Sequence, residues 1–462
     1  MKRMIKALIC LALCLSCNMM ICLGADIEPS VSSVELNIHE STTVTIKGIS
    51  TPKKVSITSD AKLKKKKKTN KYIYYATKNP GMASITASQN TVTITGWKTG
   101  RTTVKAKYNG KTYSIAVTIA NQNEPLSYEP ADVTLPDSIP SYWNDEISDS
   151  LGKVKARKGD ATATFLYLTD SHWGSQFEKV EGSETDIDYH TAITGHSPSI
   201  IQYLSEQLST PFALCGGDVI ESYQNTSAKA REEITAYYDA FGDVKVLSTM
   251  GNHDMNDYKK NKKKSSFLKK SDIYNLMMSR SSSFATVNKK LYAYADDEAH
   301  KVRVISFCYD ATHTKYYTSS ISKWIGKRVK ELDKDWTVIL ISHAYWNDAR
   351  AGKTTIVSSK SASIQKNFLK LQSQSKATIA AWFVGHTHRD RIITKTGVSG
   401  TSRLNIVSTI ADSFVKTNRQ KNIVMTPGTD MEQAMDIIQI DTDKRVIYLT
   451  RVGAGEDRVI YY

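Results

Sequence analysis

Five times between residues 165 and 388, a short apolar run with the composition of a buried strand ends directly on side chains that bind metals or move protons. Phe165-Leu166-Tyr167-Leu168-Thr169 runs into Asp170-Ser171-His172, and Phe212-Ala213-Leu214-Cys215-Gly216 into Gly217-Asp218. Val244-Lys245-Val246-Leu247-Ser248 precedes Gly251-Asn252-His253-Asp254, the run 336–342 ends at His343, and Ala380-Ala381-Trp382-Phe383-Val384 ends at Gly385-His386-Thr387-His388. Stretches of helical spacing separate the runs, at 199–208, 227–241, 320–332 and 361–371. Strands alternating with helices build α/β sheets, and the carboxyl ends of such strands gather ligand sites at one edge. The five polar clusters are therefore expected to meet, and five of the ten histidines lie in them.

The side chains so gathered are two carboxylates (Asp170, Asp218), an amide (Asn252) and four imidazoles (His172, His343, His386, His388), with no thiolate. Such a set of oxygen and nitrogen donors suits Mn, Fe or Zn. It exceeds what one four-coordinate ion needs, whereas two ions ~3.5–4 Å apart, bridged by a carboxylate, would use it fully.

In order and in residue type, Asp170-x-His172, Gly217-Asp218, Gly251-Asn252-His253-Asp254, His343 and Gly385-His386-x-His388 resemble the motif set of the calcineurin-like metallophosphoesterases. The resemblance extends over residues 161–462 and implies an α/β domain with a β-sandwich core flanked by helices. It implies two divalent or trivalent ions, one held by Asp170, His172, Asp218 and His388 and the other by Asp218, Asn252, His343 and His386, with Asp218 shared. His253 matches the family's non-ligand histidine, which meets the phosphate and assists the leaving group. Glu221, three residues past Asp218, either orients His253 or is an ordinary surface carboxylate. Two such ions lower the pKa of bound water toward ~7 and hold phosphoryl oxygens for in-line attack.

Trp173, Tyr345 and Trp346 follow the ligand blocks closely, where they either stack on a substrate ring or pack over the sheet edge. Arg389, beside His388, is a candidate phosphate contact. The long separation of Asp170 from Asp218 marks an insertion, carrying His190 and His196, near the site.

Residues 29–120 have another character: Val34–Ile38, Thr42–Ile46, Val92–Ile94, Thr103–Ala106 and Ser114–Val117 alternate with period two, and Asn109-Gly110 is a hairpin turn signal. An all-β sandwich of about seven short strands is expected. The run from Ile94 through Trp97 to Val104, with Asn109-Gly110-Lys111, resembles the bacterial immunoglobulin-like domains of group 2, which bind or space. Lys64 to Lys68 is either a solvated loop tip or a contact for an anionic cell-wall or surface polymer. Residues 121–160 read as a proline-rich linker followed by a helix, with Trp143, Ile147, Leu151 and Val154 on one face.

At the amino terminus, Lys2, Arg3 and Lys6 precede an apolar stretch from Ala7, and residues 1–24 read as a signal peptide of an exported bacterial protein. The same stretch approaches the ~20 residues of a membrane anchor, and Cys17 offers a lipid attachment point. With Cys10, Cys14, Cys17 and Cys22 in this segment, only Cys215 and Cys308 remain, both in apolar runs, and no disulfide framework is expected. The formal net charge of +16 favours anionic partners. Seven lysines between Lys259 and Lys270 either steer a polyanion or solvate an insertion, and no specific nucleic-acid motif accompanies them. The expectation is an exported two-metal phosphoesterase acting on a phosphomonoester, phosphodiester or nucleotide. The alternative is a surface-binding protein whose phosphoesterase-like domain holds metal without turnover.

Overall fold

The computed structural model describes residues 27–462 apart from 39, 50, 51, 53, 59–71, 80, 121–125, 174–195, 223, 258–262, 310, 311, 314, 316, 346–358, 397–402, 413–422, 424 and 427. The signal segment 1–24, the lysine run 64–68, His190, Trp346 and the first part of the 259–270 lysine stretch lie outside the described residues. Among the described residues no helix is long and apolar enough to cross a membrane. The chain divides into two compact units that part between residues 122 and 123.

Among its described residues the first unit is built of strands alone: β1 (Glu28–Pro29), β2 (Ser33–Asn37), β3 (Ser41–Lys47), β4 (Lys54–Thr58), β5 (Tyr72–Thr77), β6 (Ala83–Ser88), β7 (Thr91–Gly96), β8 (Gly100–Tyr108) and β9 (Lys111–Ala120). They form a sheet in the order β1-β3-β7-β6 and another in the order β2-β9-β8-β5-β4. Period-two alternation turns Val92 and Ile94 of β7, and Ile115, Val117 and Ile119 of β9, into one core with Ile46, Ile73, Tyr75 and Ile85. Asn109 (φ 47°) and Gly110 (φ 83°) both take the left-handed conformation that a two-residue hairpin of matching twist requires, and Tyr108 pairs with Lys111 across the turn. The expected immunoglobulin-like module is consistent with this all-β unit.

Among its described residues the second unit contains thirteen strands: β10 (Thr162–Leu168), β11 (Ala213–Cys215), β12 (Val246–Ser248), β13 (Thr286–Asn288), β14 (Tyr292–Asp297), β15 (Val302–Phe307), β16 (Thr337–Ile341), β17 (Thr378–Val384), β18 (Arg391–Thr396), β19 (Arg403–Ser408), β20 (Ala434–Asp441), β21 (Val446–Gly453) and β22 (Arg458–Tyr461). The principal helices are α1 (Asn144–Arg157), α2 (His196–Leu208), α3 (Ser227–Asp239), α4 (Ser319–Lys330) and α5 (Ser359–Gln374). The strands make a six-stranded sheet, β12-β11-β10-β20-β21-β22, and a seven-stranded sheet, β13-β14-β15-β16-β17-β19-β18.

Strand β16 shows how the layers stack. Its Ile339 and Ile341 join Phe165 of β10, Leu247 of β12 and Ile437 of β20 in the core between the sheets. Its Val338 and Leu340 point the other way, into a second core with Ile325 and Val329 of α4 and Phe368 of α5. Both faces of the strand are covered, so its sequence is continuously apolar.

The five motif-bearing strands are shared between the sheets, β10, β11 and β12 in one and β16 and β17 in the other, each set running parallel. The ends that carry the motifs therefore meet across the sandwich rather than along one sheet edge. Helix α1, which the sequence groups with the linker, belongs to the second unit's core through Ile147, Leu151 and Val154, together with Trp143 at its N-cap. The proline-rich stretch before it is held there too. Ala131 N–H donates to Ser148 O at 2.9 Å, and a Cβ on Gly152 would lie 2.3 Å from Glu129 O.

A fragment beginning at residue 161 is accordingly expected to melt well below the whole chain. Trp143→Ala should cost about 3–5 kcal/mol, as for other large buried aromatics. Thermal denaturation followed by circular dichroism checks both, and an unchanged midpoint for Trp143→Ala would refute the assignment of α1 to this core.

Candidate metal centre

Asp170 and His172 follow β10, Asp218 follows β11, Asn252 and His253 follow β12, His343 follows β16, and His386 and His388 follow β17. Asp170 (φ 56°), His172 (47°), Asp218 (54°), His386 (65°) and His388 (50°) all stand in the left-handed region. Side chains other than glycine take this conformation at a cost of about 1–3 kcal/mol each and keep it where the surroundings dictate it. Neighbouring glycines make room for the turns. A Cβ on Gly251 would lie 2.1 Å from Asp218 Oδ1, and one on Gly385 2.1 Å from Asp170 Oδ2.

Ligand atoms of Asp170, His172 and His388 lie within 4.8 Å of one another, as do those of Asp218, His343 and His386, and those of His172, Glu221 and His253. His388 Nε2 lies 3.1 Å from Asp170 Oδ1 and 3.5 Å from His172 Nε2. His343 Nε2 is 3.0 Å from Asp218 Oδ2 and 3.9 Å from Asp170 Oδ1, so it links the first two groups. The His343 ring is fixed by Nδ1, 2.9 Å from Gly216 O, which leaves Nε2 facing the carboxylates. The first two groups have the membership that the family resemblance implies for its two metal positions, apart from the shared Asp218 and the amide Asn252.

The electrostatics of this cluster are those of a site made for cations. Burial pushes the Asp170 carboxyl up, but His343 and His388 overcome it and bring the pKa to about 2. Asp218 is likewise held well below the usual carboxylate range, with His343 and His253 outweighing burial. Burial opposes charge on His172, yet Glu221 raises its pKa to about 9, and Asp218 and Asp170 raise that of His343 to about 10 against the same penalty. His386, buried beside the charged His343, is lowered to about 3 and is a neutral donor. Asn252 Oδ1 is buried with no hydrogen-bond partner, an arrangement that is costly unless something electropositive occupies the space before it. Donor chemistry, close grouping and this orphaned oxygen together fit two oxygen- and nitrogen-ligated ions.

Glu221 departs from the sequence expectation. Its Oε2 is 2.5 Å from His172 Nδ1 and 3.7 Å from His253 Nδ1. His253 is oriented instead by the main chain, Nδ1 meeting the Glu221 carbonyl oxygen at 2.8 Å. The carboxylate thus serves a ligand imidazole, in the manner of outer partners that fix a ligand's tautomer. Tyr345 is not available for stacking, because it is buried in the helix-facing core. Trp173 is half-buried and packs edge-on to Tyr237, the ring centroids 5.7 Å apart. Arg389 is half-buried next to His388. His196 lies at the start of α2, where Nδ1 pairs with Glu432 at 2.6 Å.

Sequence reasoning missed the layer behind the ligands. The Asp254 carboxylate receives the N–H groups of Gly251 (2.6 Å), Val219 (2.8 Å) and Asp218 (3.1 Å), stitching two ligand loops together. Asp412 accepts from Ser171 Oγ at 3.0 Å and from Ser197 Oγ at 2.7 to 2.8 Å. Asp254 lies inside a noted block and was legible as a ligand type. Asp412 follows an unremarkable apolar run and carries no signal.

Residues 163–390 match the family model described as calcineurin-like phosphoesterase. No curated protein matches the chain. Among solved structures, the chain is similar to a dimetal phosphatase from Danio rerio at 12% identity, covering 65% of this chain and 99% of that one, with a TM-score of 0.40. It is similar to phosphopantetheinyl hydrolase from Mycobacterium tuberculosis at 14% identity, covering 55% and 91%, TM-score 0.26. It is also similar to domains 4 and 5 of the S-layer protein SbsC at 18% identity, covering 21% of this chain and 51% of that fragment, TM-score 0.15.

Two outcomes are expected of the centre. A ligand imidazole must be neutral, and His172 (about 9) and His343 (about 10) hold protons near neutral pH before metal arrives. Metal uptake near pH 7 should therefore release protons, and affinity should climb as pH rises; calorimetry in buffers of unequal ionisation enthalpy reads the release, and its absence would contradict the assignment. Gly385→Ala should displace Asp170 and lower metal content per chain while far-ultraviolet dichroism stays unchanged.

Proposed function

Because residues 163–390 belong to the calcineurin-like phosphoesterase family, we propose that this chain hydrolyses phosphate esters with a pair of bound metal ions. The observation that carries the reading is the joining of two compact Asp/His groups through His343, which lies within 4 Å of both Asp170 and Asp218. Asp170, His172, Asp218 and His388 would hold one ion, and Asp218, Asn252, His343 and His386 the other. When bound, such a pair supplies Lewis acidity toward phosphoryl oxygens and makes a water nucleophile available near neutral pH.

The remaining work falls to the chain's own side chains. Nδ1 of His253 meets the Glu221 carbonyl, so Nε2, 3.9 Å from Asp218 Oδ2, is the ring nitrogen on the side of the ligand carboxylates and the one proposed to face an ester oxygen. Burial lowers the pKa of His253. An anionic ester against Nε2 opposes that effect and favours the protonated ring, which can then give its proton to the departing alkoxide. Glu221 keeps His172 oriented. Arg389, beside His388, is proposed as a phosphate contact, and its planar guanidinium matches phosphate oxygens. The substrate is proposed to be a phosphomonoester, phosphodiester or nucleotide met outside the cell, with residues 1–24 directing export and the β-rich first unit serving as a spacer or surface-binding module.

His253→Ala should reduce kcat by about 10²–10⁴-fold with metal content intact, the range expected for loss of a general acid. Asp218→Asn should reduce both metal content and turnover. A panel of nitrophenyl monoester, bis-nitrophenyl diester and nucleotides, assayed alongside elemental analysis of the same sample, checks this. Two retained metals with no turnover on any of them would instead favour a surface-binding protein with a silent domain.

A further inference from the structure

The loop carrying His386 and His388 places both in the left-handed region within three residues. Such a loop relaxes unless it is held. Three contacts hold its first half: His386 N–H donates to both Asp170 carboxylate oxygens (3.0 and 3.1 Å), Thr387 N–H donates to Gly385 O (2.7 Å), and Thr387 Oγ1 pairs with Ser408 Oγ (2.8 Å). Its far end is held by Asp390, two residues past His388 and directly before β18.

Asp390 Oδ1 meets Arg451 Nη2 at 2.8 Å and Arg458 Nη1 at 3.2 Å, and accepts the Ile410 N–H at 3.0 Å. The two arginines converge on a second carboxylate, Arg451 Nε on Asp436 at 3.0 Å and Arg458 Nη2 on Asp436 at 2.5 Å. Arg451 is 2% and Asp436 0% exposed at the side chain. Asp436 on β20 stands opposite Tyr167 of β10, near the end of the strand that leads to Asp170 and His172. Arg451 and Arg458 lie on β21 and β22 of the same sheet, whereas Asp390 lies between β17 and β18 of the other. The four charges therefore cross from one sheet to the other at the end of the sandwich where the metal ligands sit.

Two carboxylates and two guanidinium groups offset each other, so the quartet gives little net stability over an apolar packing of equal volume. What it supplies is geometry: a planar, rigid fork fixes the distance between the groups it joins. We infer that Asp390, through Arg451 and Arg458, is a positioning residue that holds His386 and His388 in register with the Asp170 and Asp218 side of the site. This rests on the reading of both histidines as metal ligands.

The test compares Asp390→Asn, Arg451→Lys and Arg451→Met with the wild-type full chain, measuring Mn²⁺ and Zn²⁺ affinity by competition with a chelator, Co²⁺ absorption as a report on ligand geometry, and the melting temperature of the metal-free protein. Asp390→Asn keeps shape and the Ile410 acceptor while removing the charge. It should weaken metal retention about 10–100-fold, the usual scale for partners behind the ligands, with an altered Co²⁺ spectrum; Arg451→Lys should fall between it and wild type, and should remain informative if Arg451→Met fails to fold. Arg303→Met serves as the control. It breaks a comparable charged trio with Asp296 (2.6 Å) and Glu331 (2.5 Å) at the start of β15, far along the strand from the ligand ends, and should lower the melting temperature with metal affinity unchanged. Wild-type affinity and spectrum in Asp390→Asn, or an equal loss of metal in Arg303→Met, would overturn the inference. A wild-type chain that takes up no metal would overturn the metal-site reading itself, and this inference with it.

Discussion

The contact on which the rest depends is between the Asp218 carboxylate and two histidines that reach it from either side of the sandwich, His343 by its ring and His253 by its main-chain N–H. Oδ2 lies 3.0 Å from His343, delivered by the seven-stranded sheet, while Oδ1 accepts the His253 N–H at 2.7 Å from the loop after β12 in the six-stranded sheet. Asp218 is nearly without solvent. A buried carboxylate is tolerable only when paired and hydrogen-bonded, so the closing of the two sheets and the filling of the site are one event. Asp170 repeats the arrangement with His388 and the His386 N–H. Each carboxylate arrives on the six-stranded sheet and meets an imidazole delivered by the other.

This division of labour explains why so much of the polar machinery is backbone. Asp254 collects three N–H groups, His343 leans on Gly216 O, and His253 on Glu221 O. Main-chain partners cannot rotate away, and they let the loops adopt left-handed turns that side-chain bonds alone would not secure. Close backbone approach in turn excludes any Cβ at Gly251 and Gly385. The glycines preceding the ligand residues are thus consequences of packing two loops against two carboxylates.

The candidate site was far more legible than the architecture around it. Metal-ligand side chains are rare at the ends of apolar runs, and five such blocks in order are hard to produce by chance, so the residues of the centre could be picked out before any strand was placed. The partition of β10, β11 and β12 from β16 and β17 was hidden because these strands are covered on both faces and carry no alternation to reveal a sheet's inner side. Strands β13 and β14, between residues 286 and 297, passed unnoticed for want of a terminal polar block, and the apolar run before Cys308, which forms β15, carried no sign of its place in a sheet. Glu221 was a candidate to orient His253 because it stands three residues past Asp218. The structure gives its carboxylate to His172 because the Glu221 main chain already occupies the His253 ring nitrogen. Tyr345 follows His343 closely, but two residues further along the segment that leaves β16 are enough to turn a ring into the core.

The charge state of the centre carries a consequence for the order of events. Without metal, Asp170, Asp218 and the lowered Glu221 are anionic against His172 and His343, whose raised pKa values keep them protonated. The cluster is then near electrical balance or slightly negative, and a phosphate dianion finds no net attraction. Exchanging imidazole protons for two multivalent cations adds more charge than it removes, and only then does the same set of donors present a positive field to an ester. On the proposed two-metal reading, anion recognition would be conditional on metal, even though the chain as a whole carries +16. The surface charge would raise the local concentration of anions, and the loaded centre would decide where one of them is held.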